Sequence, residues 1–302
     1  MSVAEIESRE IQLEAPSGLW NEAWQRLRRN PGAIVGFVIV TVFVLVATFA
    51  PLIAPADPRA QDLSLISEGC CPGPSADYWF GIDQLGRDEF SRVVYGARYS
   101  LLIGVVSVTV GLSVGLVLGA LAGYLGGVVD TVIMRLMDIM LSIPGLLLAI
   151  GIVAMLGPGL FQIMIAVGVT QIPIFARLLR GSILAQREND FVLAARSVGV
   201  PRRQILASHI LPNSISPVIV QGTLALATAI IDVAGLGFLG LGPQDPSTPE
   251  WGTMLTGTTR YLQTAPHLAI IPGVAIVLSV LGFNLIGDGL REALDPKFRG
   301  RA

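Results

Sequence analysis

The chain has 302 residues, of which 52% are hydrophobic and only 14% are charged, whereas a soluble domain carries about 25% charged residues. Its net charge of -2, with no basic face, excludes a nucleic-acid partner. Uncharged runs long enough to cross a bilayer exclude a soluble fold and predict an all-α integral membrane protein with six transmembrane helices.

The first transmembrane helix is predicted over residues 33–55, because residues 33–54 carry no charge and can cross a hydrocarbon core about 30 Å thick. A cleaved signal peptide has an apolar stretch of only about 7–15 residues close to the start of the chain. This run is longer and begins later, so we expect a retained helix that follows a cytoplasmic N-terminal segment, residues 1–32.

A polar stretch over residues 56–98 is predicted to form an extracytoplasmic loop. Four charged residues near its end lie among apolar ones and predict an amphipathic helix on the exterior surface, which either is structural or contacts a binding protein: Arg87, Asp88, Glu89 and Arg92.

The same loop holds the adjacent residues Cys70 and Cys71. Neighbouring Cα atoms lie about 3.8 Å apart, closer than the usual disulfide range of about 4.4–6.8 Å. A disulfide between the two would be strained, so free thiols, thiols linked to a partner and a vicinal disulfide all remain open.

The second helix is predicted over the uncharged residues 99–129. It carries glycines at intervals of four, which share one helical face and let another backbone approach closely. We expect this stripe to pack helices together rather than to bind a ligand; its members are Gly111, Gly115, Gly119 and Gly123.

Residues 99–291 are expected to form the transmembrane core, and residues 292–302 a cytoplasmic tail. The third helix is interrupted at Pro144 and opens with Arg135 and Asp138, whose spacing predicts a local ion pair. The third to sixth helices are expected at residues 131–156, 160–179, 214–241 and 267–290.

The positive charges predict the orientation, because cytoplasmic loops retain Lys and Arg. With the N-terminus inside, residues 180–213 and the tail are cytoplasmic. Only five of the 20 Lys and Arg residues then fall outside: Arg59, Arg87, Arg92, Arg98 and Arg260. We therefore expect both termini on the cytoplasmic side of the inner membrane.

The sequence lacks the patterns that catalysis or nucleotide binding would need. A Walker A loop requires Gly-Lys followed by Ser or Thr, and the one lysine, Lys297, follows Pro296. His209, His267 and the two cysteines form no cluster with metal-ligand spacing. The chain is therefore expected to be neither an enzyme nor the holder of a metal or cofactor.

Residues 180–213 are predicted to form two short amphipathic helices with a break at residues 199–201, between Gly199 and Pro201. Three residues would give the first helix an exposed apolar patch: Phe191, Ala194 and Ala195. Such a patch favours docking into a cleft of another protein over the alternative, a solvated connector.

This stretch resembles the EAA motif of ABC-importer permeases, which reads Glu-Ala-Ala, three residues, Gly, nine residues and Ile-x-Leu-Pro. Ala194, Ala195, Gly199, Leu211 and Pro212 match at that spacing. Two residues depart from it, since Leu193 replaces the Glu and His209 the Ile. The resemblance implies an ATPase-coupling loop, residues 190–212, which also includes Asp190, Phe191, Pro201 and Arg202.

Further stretches, at residues 85–98, 134–144, 238–252 and 287–296, are similar to the second permease subunit of dipeptide, oligopeptide and nickel importers. The resemblance implies a type I importer permease fold that forms half of a translocation pathway working by alternating access. It also implies a second homologous permease chain, two ABC ATPase subunits or domains that hold ATP and Mg, and an extracytoplasmic substrate-binding protein. Peptides are the expected substrate, with nickel or another small solute as the alternative.

A secondary transporter or channel is the alternative from a different class. It would need ionisable residues in mid-membrane to carry ions, and Asp232 is the one clear candidate. We expect Asp232 to face the partner permease or the pathway, because exposing a carboxylate to lipid costs several kcal/mol.

Overall fold

The computed structural model describes residues 19–66 and 70–294. The predicted N-terminal segment up to residue 18 and the predicted tail after residue 294 lie outside the described residues. The long helices are α1 (Leu19–Leu27), α2 (Pro31–Thr48), α4 (Glu89–Leu125), α5 (Gly127–Ser142), α6 (Gly145–Leu156), α7 (Leu160–Arg187), α11 (Ser216–Leu236) and α13 (His267–Leu294). Four short helices join them: α3 (Ala50–Ile53), α8 (Asp190–Ser197), α9 (Arg202–Ile205) and α10 (Leu211–Ser214); a fifth, α12 (Trp251–Met254), precedes α13.

Five stretches in the described part are long and apolar enough to span a membrane: α2, α4, α7, residues 216–241 and α13. Helices α5 and α6, which meet at 94°, bring the number to six where this bent pair is counted as one span. The break lies at Pro144, which has no N–H to donate, and Ile143 before it is extended, with φ -97° and ψ 128°. The predicted interruption at Pro144 is confirmed.

The predicted separate amphipathic helix at residues 87–92 is wrong. Its residues open the 37-residue helix α4, which Asp88 caps by accepting a hydrogen bond from the backbone N–H of Ser91 at 2.8 Å. The predicted polar face is not on the surface, since all four of its charged residues are buried: Arg87, Asp88, Glu89 and Arg92.

The two buried arginines find partners both nearby and in distant parts of the chain. Arg87 Nε donates to Asp83 Oδ2 at 2.6 Å, and Arg87 Nη1 donates to the carbonyl of Pro246. Arg92 Nη1 donates to the carbonyl of Pro58 at 3.2 Å. Paired in this way, the charged turn can continue directly into the membrane-spanning helix.

The glycine stripe of α4 lies against α7, its most extensive neighbour. A Cβ atom at Gly115 would lie 2.6 Å from Phe175 Cβ, and one at Gly119 would lie 2.5 Å from the carbonyl oxygen of Ala176. A Cβ at Gly111 would lie 2.6 Å from Gln171 Cβ, and one at Gly123, which is less constrained, would lie 3.1 Å from Ile183 Cβ. The two backbones therefore pack closer than any larger residue would allow.

The other helices pack around α4 and α7 or on one another. Helix α13 packs on α2 and α11, and Asn30 both caps α2 and donates to Glu292 Oε2 at 2.6 Å. The predicted local pair of Arg135 with Asp138 is wrong, because Asp138 bonds to Arg177 of α7. That contact crosses between α5 and α7 instead of staying within one helix.

Candidate functional site

The 190–212 segment lies between α7 and α11 and is almost entirely helical. Helix α8 is followed by a turn at residues 198–201, then α9, a wider π-helical turn (Leu206–Ile210) and α10. The expected pair of short helices with a break at Gly199 is therefore present, and the second helix continues through the π turn towards α11.

Helix α8 has one buried and one exposed face. Val192 and Ala195 are buried in the core that also contains Phe175 and Ile183 of α7. The exposed apolar surface is formed by Phe191, Leu193, Ala194 and Val198. The prediction that Ala195 lies on the exposed patch is wrong, because Ala195 anchors α8 to its own chain.

Gly199 makes the turn between the two helices. Its φ of +80° falls in the left-handed region that glycine adopts without steric cost, and a Cβ there would meet no atom within 4 Å. The turn is held by the N–H of Val200, which donates to the carbonyl of Ala195 at 3.1 Å. A side chain at this position would therefore be disfavoured by backbone strain and not by a clash.

The second half of the segment is anchored by Ile205 and Ile210, both buried. Pro201 and Arg202 are exposed, as is Pro212, while Leu211 is partly buried against the core. His209 lies in the π turn, and its buried Nδ1 has no hydrogen-bond partner among the described residues.

Asp232 is half-buried on α11, one helical turn after Thr228. Gln171 of α7 donates from Nε2 to Thr228 Oγ1 at 3.4 Å, and the Gln171 Oε1 atom is buried without a partner in the part of the chain described here. No hydrogen bond or ion pair to the Asp232 carboxylate is found within the described ranges. Gln171 and Thr228 thus form a polar contact between α7 and α11, and the Asp232 carboxylate, one turn further along, has no partner in the described part of the chain.

A second polar cluster lies at the opposite end of the bundle, where the segment after α11 folds over the start of α4. The carboxylate of Glu250 accepts hydrogen bonds from the backbone N–H groups of Gly252 at 2.8 Å and Thr253 at 2.7 Å, which caps α12. Burial raises the pKa of the Glu250 carboxyl, and these hydrogen bonds oppose that rise. Ser100 of α4 also donates to Glu250 Oε1, at 3.3 Å, and no local pattern in the sequence predicts this contact between residues 150 apart.

The sulfur atoms of Cys70 and Cys71 are joined in a vicinal disulfide, one of the three states left open by the sequence. Cys70 has a φ of +82°, and Cys71 is buried beside Ala265 and Leu268. Across residues 19–66 and 70–294, no group of three or more His, Cys, Asp or Glu side chains could hold a metal ion.

Comparison with known families identifies the type of protein. Residues 115–300 match the model of the binding-protein-dependent transport system inner membrane component. The chain belongs to this family. Residues 18–68 also match the N-terminal transmembrane domain of oligopeptide transport permease C.

Three relatives are each about half identical in sequence to this chain. The dipeptide transport system permease protein of Alkalihalophilus pseudofirmus is 49% identical over 280 residues, which cover 93% of this chain and 90% of the relative. The glutathione transport system permease protein of Shigella flexneri is 49% identical over 282 residues, covering 93% and 91%. The equivalent protein of Salmonella paratyphi A is 50% identical over the same length, also covering 93% and 91%.

The fold also has a solved counterpart. A chain of the inward-facing MetNI methionine ABC transporter superposes with a TM-score of 0.56 at 21% identity, covering 68% of this permease and 97% of that chain. The type I importer permease fold predicted from the sequence is confirmed.

The protein is thus a permease subunit of an ABC importer, a transport subunit and not an enzyme. It is a multi-pass protein of the inner membrane, and its family acts together with ATPase and substrate-binding components. This assignment rules against the secondary transporter or channel considered from the sequence.

Proposed function

We propose that this permease forms half of the pathway by which an ATP-driven importer moves peptides into the cytoplasm. The relatives named above support peptides, since one is a dipeptide permease and glutathione is itself a tripeptide. The other half of the pathway is a second homologous permease chain. Two ATPase subunits or domains supply the energy through bound ATP and Mg, and an extracytoplasmic binding protein delivers the substrate.

The observation that carries the coupling role is the exposed apolar face of α8. Three large apolar side chains remain accessible: those of Phe191 and Leu193 on a short helix that Val192 and Ala195 fix to the core, and that of Val198, which caps its end. A rigidly held helix with an apolar face suits insertion into a cleft of an ATPase. Leu193 makes this contact apolar at the position where the family motif has a carboxylate.

Coupling requires the 190–212 segment to lie in the cytoplasm, and the distribution of positive charge supports this orientation. Arg187, Arg196, Arg202 and Arg203 cluster at this end of the bundle. The other end carries the loop with Glu250 and the vicinal disulfide, where an extracytoplasmic binding protein would dock.

The coupling role is tested with Ala194→Arg, which places a long charged side chain on the exposed face. We expect insertion into the membrane to be unchanged and both copurification of the ATPases and peptide uptake to fall together. Ala194→Ser is the matched control, since it keeps the face small and should behave as the wild type. Normal uptake by Ala194→Arg would show that α8 is only a connector.

The substrate is tested with the purified complete transporter in liposomes. We expect ATP-dependent accumulation of labelled dipeptide or glutathione, with the binding protein present. Accumulation of Ni²⁺ without accumulation of any peptide would replace the proposed substrate by its alternative.

Asp232 is proposed to face the second permease or the pathway. The supporting observation is that its carboxylate is partly buried on an apolar span and has no partner in the described part of this chain. A partner from the second permease, or water in the pathway, would compensate for the desolvation of this charge.

A further inference from the structure

A basic cavity lies between the end of α4 and the 190–212 segment. Its volume is about 390 Å³, and three arginines line it: Arg187, Arg196 and Arg202. These arginines come from three different elements, since Arg187 ends α7, Arg196 is in the last turn of α8 and Arg202 begins α9.

The positive charge of this cavity is not neutralised by the chain itself. No Asp or Glu of the described ranges forms a salt bridge with any of the three arginines, and none lines the cavity. Arg187 Nη1 donates to the carbonyl of Gly123 at 2.9 Å, which fixes its guanidinium at the end of α4. The other two guanidinium groups have no hydrogen-bond acceptor in the part of the chain described.

The carboxylates closest in sequence to these arginines do not neutralise the cavity. Asp130 is held by Arg180, whose Nε and Nη2 atoms lie 2.5 Å and 2.6 Å from its two oxygens. Asp190 and Glu188 are exposed and form no ion pair in the structure as described. The cavity therefore offers a site for an anion supplied from outside the chain.

The rest of the lining indicates which anion. Tyr124 and Leu125, at the last turn of a membrane-spanning helix, form one wall, and Ile205 and Ile210 form an apolar floor. Leu125 and the adjacent Val128 are largely exposed, so an apolar surface continues from the cavity onto α5. Tyr side chains and arginines at the end of a span are typical of the level of the lipid headgroups.

We infer that this cavity binds the headgroup phosphate of an anionic phospholipid of the inner leaflet. The guanidinium groups of Arg196 and Arg202 would donate to the phosphate oxygens, while the acyl chains follow the apolar surface of Leu125 and Val128. Basic pockets between spans on the cytoplasmic side commonly hold such headgroups. The inference rests on the cytoplasmic placement of the 190–212 segment in the proposed function.

A lipid bound at this site would make the position of α8 depend on whether the surrounding lipids are anionic. The lipid phosphate would bridge Arg196, on the helix proposed to meet the ATPase, to Arg202 beyond the Gly199 turn. An anionic bilayer would then hold the two halves of the segment together, and a zwitterionic bilayer would not.

The test titrates the complete transporter, as it copurifies, with short-chain phosphatidylglycerol and counts bound lipids by native mass spectrometry. The double variant Arg196→Gln/Arg202→Gln is expected to bind about 30-fold more weakly, since each arginine near an anionic lipid contributes about fivefold. Arg203→Gln is the matched control, because Arg203 is adjacent in sequence but does not line the cavity. Arg202→Lys, which keeps the charge, should retain part of the binding.

Two further arms identify the anion. Phosphatidylcholine should not bind, and inorganic phosphate at the same concentration should not displace phosphatidylglycerol; displacement would assign the cavity to a free anion and overturn the inference. Unchanged lipid binding by the double variant, together with loss of ATPase copurification, would assign the arginines to an acidic ATPase surface and overturn it as well. The number of bound lipids and the association of the ATPases are measured separately. A transporter that binds the lipid normally but does not need α8 for coupling can therefore be told apart from one that fails to bind the lipid.

Discussion

The hydroxyl of Ser100 accepts a hydrogen bond from the backbone N–H of Trp251 at 3.1 Å. The same hydroxyl donates to Glu250 Oε1 at 3.3 Å. Ser100 belongs to α4 and Trp251 begins α12, so one buried side chain fixes the segment after α11 to the start of the second span. The indole of Trp251 is fully buried and donates to the carbonyl of Val93 at 3.0 Å.

Ser100→Ala should destabilise the protein by about 1–3 kcal/mol, because it leaves the buried N–H of Trp251 without an acceptor and removes a donor from Glu250. Thermal unfolding in detergent, followed by tryptophan fluorescence, would show this as a lower midpoint. Ser113→Ala is the control, since Ser113 is exposed and its hydroxyl bonds only to the carbonyl of Thr109 in its own helix. Equal midpoints for the two variants would contradict the bridging role of Ser100.

Gly119→Ala should separate α4 from α7, because the added Cβ would lie 2.5 Å from the backbone carbonyl of Ala176, which cannot move independently of its helix. We expect a loss of about 1–3 kcal/mol, as in other overpacked interiors. Gly151→Ala in α6 is the control, since nothing lies within 4 Å of a Cβ there. A midpoint for Gly119→Ala as high as that for Gly151→Ala would show that the helices are not in close contact.

Gly199→Val should reduce peptide uptake while leaving insertion into the membrane intact. A β-branched residue cannot adopt a φ of +80° without strain of about 1–3 kcal/mol, so the turn would open and α8 would be displaced. Gly199→Asn should retain most of the uptake, because Asn tolerates the left-handed region. If the two variants transport equally well, the turn geometry does not matter for coupling.

Asp232→Ala should weaken association of the two permease chains, because it removes the charge that the second chain is proposed to compensate. Copurification of the second permease with a tagged variant measures this directly. Asp232→Asn should retain more of the association, since the amide can still form hydrogen bonds. Full association with altered preference among peptides would place Asp232 in the pathway, and an unchanged transporter in every assay would rule out both placements.

The orientation is tested with single cysteines, after Cys70 and Cys71 have been replaced by serine. A cysteine at exposed Gln61 should react with an impermeant maleimide in intact cells, and one at exposed Glu188 should react only after the membrane is opened. The reverse pattern would place the 190–212 segment outside and remove the basis of the coupling role.

The membrane spans could be predicted from the sequence because each contains a long apolar stretch with few charges, and the sixth begins at His267 as expected. The ends of the helices were harder to predict where a charged residue is paired with a group far away in the sequence. Helix α7 continues beyond residue 179 to Arg187, since Arg180 meets Asp130 and Arg187 meets the carbonyl of Gly123. No nearby residue reveals either partner.

The candidate site, like the helices, could be predicted only in part from the sequence. The turn at Gly199 was predictable, because glycine between two short helices indicates a left-handed residue. The inward face of α8 was not, since Ala194 and Ala195 are the same residue type and only the position of α7 decides which of them is buried. Val198, which follows α8, was not recognised as part of the exposed surface.

The close packing of α4 against α7 has a mechanical consequence. Because the backbones of the two helices are in close contact along the glycine stripe, we expect the pair to tilt together as one rod. Helix α7 has 28 residues and is about 42 Å long at 1.5 Å per residue, and α8 is attached to its end. A tilt of about 10° imposed at α8 would swing the opposite end of a rod of this length by about 7 Å. Such a lever would carry a small push on the 190–212 segment across the full thickness of the membrane.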